Sequence, residues 1–89
     1  MVQNIKNNLE EKLNKVIGKN VIIIQDGFLK SKYSIHKLHY FIEYDILDIT
    51  DEESNNYLNI NLNQIYKIEN NEKEIKLFLD NDIIICLTI

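Results

Sequence analysis

Apolar residues recur at three- and four-residue spacing at the start of the chain: Val2, Ile5, Leu9, Leu13, Val16 and Ile17. That spacing puts them on one stripe of an α-helix, with Glu10, Glu11, Lys12 and Lys15 on the other faces. The pattern predicts a helix over 3–17. Gly18 reads as the residue that stops it, and Lys15 and Lys19 stand near its negative end. So short a helix is unstable alone in water, so the stripe must pack on something. Beyond Gly18 the period falls to two. Val21-Ile22-Ile23-Ile24 is a β-branched run closed by Asp26-Gly27, a pair suited to a tight turn, and predicts a strand over 21–25.

Residues 28–50 admit two readings. Leu38, Tyr40, Ile42, Tyr44 and Ile46 alternate as on a strand, while Leu47 and Ile49 have the opposite parity. A single strand there needs a bulge or bend near Ile46-Leu47. Ile35, Leu38, Ile42 and Ile49 also fit helical spacing, with Ser34 as an N-cap. Aromatic and β-branched density favours the strand. After the polar turn 51–56, Leu58, Ile60, Leu62, Tyr66 and Ile68 share one parity, with a kink expected at Asn63-Gln64. Asn70-Asn71 marks a turn, and Ile75, Leu77 and Leu79 alternate with Lys76, Phe78 and Asp80. Asp80-Asn81-Asp82 turns again. Residues 83–89 are apolar on both parities, as in a strand covered on both sides.

The expected fold is therefore α+β: a single domain over 1–89, with helix 3–17 and a sheet over 21–89. Five or six sequential strands joined by short turns make an antiparallel meander. Leu9, Leu13, Ile60, Leu62, Leu77 and Ile85 are the expected core. A helix followed by a meander with a long bent second strand resembles the layout of small SH3- and Sm-like barrels. That resemblance lies in the order of elements; the RNA-contacting Asp/Asn and Arg-Gly positions of the Sm-like family have no counterpart here.

Composition adds constraints. Seventeen Ile and thirteen Asn, with no Arg, Ala, Pro or Trp, are what AT-rich codons produce, as in low-GC bacteria and their phages. Without Arg the chain lacks the bidentate fork that grips guanine edges and phosphates, and Lys offers only a point charge. Residues 1–40 carry seven Lys against three acids, a net +4, and residues 41–89 carry three Lys against eleven acids, a net −8. Such a dipolar chain favours charged partners. One cysteine, Cys86, can form no internal disulfide, which fits a reducing cytoplasm. Met1-Val2-Gln3-Asn4 lacks the pattern of a signal peptide, and no stretch approaches a membrane span.

Catalytic chemistry finds little support. Cys86 between Ile85 and Leu87 reads as an inert core thiol. His36 and His39, with Glu43, would share a helix face and offer three zinc ligands, but on a strand the two His point apart, so no metal is expected. Two glycines cannot build a phosphate-cradling loop. No residue set calls for a cofactor. Lys30, Lys32, Tyr33, His36, Lys37, His39 and Tyr40 interleave charge with aromatic rings, as single-strand binders do, although scattered surface lysines explain them more simply.

These eliminations leave a non-enzymatic binding protein acting through protein contacts, as an adaptor, inhibitor or immunity-type factor. The candidate partner-binding residues are Glu43, Asp45, Asp48, Asp51, Glu52, Glu53, Asp80 and Asp82, against a protein with a basic surface. On one contiguous face such acids would imitate nucleic-acid phosphates. Turn chemistry and a solvated acidic edge are the plainer account of the same residues. The alternative is an Sm/SH3-like module for single-stranded nucleic acid, disfavoured by the net charge of −4. No membrane partner is expected, and a homodimer follows if 83–89 lies at a sheet edge.

Overall fold

The computed structural model describes residues 2–89, with side chains from Asn4 onward. One helix is followed by eight strands in two antiparallel sheets. Helix α1 covers Val2–Leu13. Strands β1 (Val21–Asp26), β2 (Ser31–Ile35), β6 (Ile65–Asn70), β7 (Glu74–Leu79) and β8 (Ile84–Thr88) form the larger sheet, ordered β2-β1-β8-β7-β6. Strands β3 (Leu38–Glu43), β4 (Ile46–Asp51) and β5 (Tyr57–Asn61) form the smaller one. The class is the expected α+β fold with antiparallel sheets; the two sheets do not close into a barrel.

The six expected core residues are all buried. They belong to one cluster drawn from the helix and both sheets, in which Ile23, Ile35, Leu38, Leu47 and Ile49 are also fully enclosed. The side chain of Val2, expected in the helix stripe, lies outside the described residues. The helix is shorter than its periodicity predicts. After Asn14 the amides of Lys15 and Val16 bond to carbonyls three residues back instead of four. This tightening drops Val16 into the core and leaves Ile17 exposed. Gly18, at φ 78°, then turns the chain so that its N–H donates to Leu38 O at 2.8 Å. That bond ties the end of the helical segment to the start of β3, while the chain itself runs on into β1.

Three expectations are corrected. The parity break after Ile46 is neither bulge nor bend but a two-residue hairpin turn, with Tyr44 at φ 56°. It divides one expected strand into β3 and β4 and rules out the helical alternative. The expected kink is a 3-10 turn at Leu62–Gln64, whose Asn61 side chain accepts the Asn63 N–H. It carries the chain from one sheet to the other. A register shift between Ile65 and Lys67 then leaves Tyr66 exposed instead of buried. These breaks raise the strand count from the expected five or six to eight.

Strand β8 is not covered on both faces. Ile85 and Leu87 enter the core, whereas Ile84, Cys86 and Thr88 lie half-buried on the outer face. Cys86 is thus an outer-face thiol and not a core one. Burial by its neighbours pushes its pKa up all the same. β8 pairs with β1 on one side and β7 on the other. It has no free edge for pairing with a second copy.

Candidate functional site

Of the eight candidate acids, Asp51 is not presented to solvent. Only 5% of it is exposed. Its Oδ2 accepts from the His36 N–H at 3.0 Å and the Ser54 hydroxyl at 2.8 Å. Its Oδ1 accepts from the N–H groups of Lys37 at 3.1 Å and Glu53 at 2.9 Å. These bonds, led by the one from His36, hold its carboxyl well below the usual carboxylate range, against the opposing pull of burial. Asp51 ties the β2–β3 bend to the β4–β5 turn, a structural duty that removes it from any contact surface.

The other acids fall into separate groups. Glu52 and Glu53 are exposed on the β4–β5 turn, and Glu52 is paired with Lys37 at 3.2 Å and approached by His39 at 3.8 Å. At the opposite end of β4, the exposed Glu43 precedes the β3–β4 turn and the exposed Asp45 lies in it, and Asp45 accepts from Asn63 Nδ2 at 3.2 Å. Asp80 and Asp82 occupy the β7–β8 turn, where the Asp80 N–H donates to Gln64 O. Asp82 sits at φ 64°, a conformation Asp tolerates better than most residues. The 3-10 turn thus brings Asp45 and Asp80 to the same end of the molecule, with Glu52 and Glu53 at the other.

Asp48 stands apart from both groups. Residues directly opposite on paired strands share a face. Register therefore builds a lattice on the outer face of the small sheet: His39, Thr50 and Tyr57 in one row, Phe41, Asp48 and Asn59 in the next, Glu43, Ile46 and Asn61 in the third. The inward parity of the same strands (Leu38, Leu47, Ile49, Leu58, Ile60) fills the core, which forces these residues outward. Phe41 is 58% exposed, Tyr57 66%, and Tyr44 on the adjoining turn 87%. Asp48 is the centre of the lattice. It is half-buried, and its Oδ1 is enclosed without a hydrogen-bond partner among the described residues. A buried acceptor left unsatisfied costs about 1–3 kcal/mol.

The pleat also sorts the segment 30–40 that interleaves charge with aromatic rings. Tyr33 and Tyr40 pack against the core, and the Tyr40 hydroxyl donates to Asn14 Oδ1 at 2.7 Å. Lys32 and His39 are exposed on the opposite parity. His36 occupies the bend, and among the described residues no group of three potential ligands is placed to hold a metal ion.

The Phe41–Asp48 lattice was within reach of sequence reasoning only in part. Alternation in 38–51 shows which residues point outward, but the hairpin turn has to be known before Phe41 and Asp48 can be placed opposite each other. No known protein family, curated protein or solved structure matches this chain. Among the described residues no helix is long and apolar enough to cross a membrane.

Proposed function

We propose that this protein is a non-enzymatic binding module that docks a protein partner with a basic surface on the outer face of its small sheet. The observation that carries this reading is Asp48, an unpaired carboxylate oxygen enclosed at the centre of a face that also exposes Phe41 and Tyr57. Aromatic residues around a desolvated polar centre are the usual composition of an interface hot spot. The charge of the face selects the partner. Glu43 and Asp48 lie on the lattice, Asp45 adjoins it, and its one titratable base is His39. A Lys or Arg entering above Asp48 would meet a favourable field.

The test is a photo-crosslinking amino acid placed in turn at Phe41, at Tyr57 and at Ile22, which lies on the outer face of the large sheet. Expressed in the cells that make this protein, the first two positions should capture the same basic protein and the third should not. Asp48→Lys should abolish capture at Tyr57, and Thr88→Lys should leave it intact. Equal capture at Ile22, or capture insensitive to Asp48→Lys, would overturn the reading.

A further inference from the structure

The three lysines at the end of α1 converge on one cleft. It lies between the helix end and the β6–β7 turn and encloses about 550 Å³. Lys12, Lys15 and Lys19 line one side, and Asn70 and Asn71 the other. The fold builds this convergence: Lys12 and Lys15 are one turn apart, and the positive φ of Gly18 reverses the chain so that Lys19 returns over the same cleft. Buried Val16 and Ile75 supply apolar lining. Lys12 Nζ donates to Asn8 Oδ1, whereas the ammonium groups of Lys15 and Lys19 have no side-chain acceptor among the described residues. The carboxylate of Glu72 also lines the cleft but forms no ion pair with any of the three.

We propose that this cleft binds a small organic phosphate. The three lysines outnumber the one acidic side chain lining the cleft, Glu72, and Lys is a common point-charge partner of phosphate. The Asn71 Oδ1 accepts the Lys73 N–H at 2.8 Å, so the donor this residue retains is its Nδ2. The volume is within the range of small-molecule sites. No aromatic side chain lines it, so it offers no platform for a nucleobase, and Val16 and Ile75 suit the carbon skeleton of an aliphatic or sugar phosphate. Lysines near a helix end also complement the helix dipole. That role does not account for Lys19, which lies beyond Gly18, or for the amides facing it across the cleft.

The experiment is a titration of the whole protein at low salt, followed by its amide NMR spectrum, with glycerol phosphate, inorganic pyrophosphate, glycerol and a short oligothymidylate. Glycerol phosphate should give saturable shifts at Lys15, Lys19, Asn70 and Asn71, and glycerol none. Lys15→Gln/Lys19→Gln, both at exposed positions, should keep a dispersed spectrum and raise Kd about tenfold. Lys30→Gln/Lys32→Gln should leave Kd unchanged. Absence of saturable binding for both glycerol phosphate and pyrophosphate would overturn the proposal. So would an unaltered Kd in Lys15→Gln/Lys19→Gln, or tighter binding of the oligothymidylate at the same lysines.

Discussion

At Asp51 one carboxylate receives four hydrogen bonds from two chain segments, the β2–β3 bend and the β4–β5 turn. Its ionised form is favoured in the folded state, so its folded pKa lies below its unfolded one. The stability it contributes is complete above the unfolded carboxylate range, near pH 4, and is lost as pH falls through the lower folded value. The thermal midpoint of the wild type should therefore drop between about pH 4 and pH 2, and that of Asp51→Asn should start lower and fall less over the same interval. Calorimetry across that range checks both. Gly18 makes a second residue-scale prediction. A Cβ there would meet no atom within 4 Å, so Gly18→Ala should cost about 1 kcal/mol through its φ of 78° alone. Gly27 is different. Its φ is not positive, so it is no turn glycine of the kind an Asp-Gly pair suggests; a Cβ would lie 3.0 Å from Ile83 Cγ1. Gly27→Ala should therefore destabilise less when combined with Ile83→Ala, which removes that atom.

At the scale of elements, the alternating strands were legible and their breaks were not. Ile75, Leu77 and Leu79 are buried as their parity demands, and the same rule placed Leu58 and Ile60 correctly. The turn at Tyr44-Asp45 escaped because neither residue is Gly or Asn, the usual occupants of positive φ. Only the change of parity between Ile42 and Leu47 marked it, and a bulge gives the same mark. Asp51 was legible as a turn acid but not as a buried one, because two of its donors are backbone amides 14 and 15 residues earlier. A sequence does not display backbone donors. The proposed docking face is half legible: Asp48 stands among the candidate acids, while Phe41 and Tyr57, its neighbours in register and at the rim, do not. The 3-10 turn at Leu62–Gln64 joins the two sheets and packs against the helix, and Leu62 is fully buried within it. Leu62→Ala should cost about 2–5 kcal/mol in chemical unfolding.

For the whole molecule, the chain's split between a basic first half and an acidic second half does not become two charged ends, because acids stand at both ends and Lys37 pairs with Glu52. Docking on the acidic lattice around Asp48 should depend on salt mainly through the association rate. Charge reversal at Glu43 should slow association with the basic partner, while Lys30→Glu should not, as surface plasmon resonance at two salt concentrations would establish. The topology has a further effect, on biosynthesis. β8 is the centre of the large sheet, and β1 and β7 touch each other only through it. As the chain leaves the ribosome, β1–β2 and β6–β7 can form only as separate ribbons until residues 84–88 have emerged. Val21–Ile24 meanwhile presents an unpaired, β-branched edge, the kind of segment that recruits other nascent chains. A chain truncated before Ile84 should yield no folded fragment, and the emergence of residues 84–88 from the exit tunnel is what ends the interval of exposure.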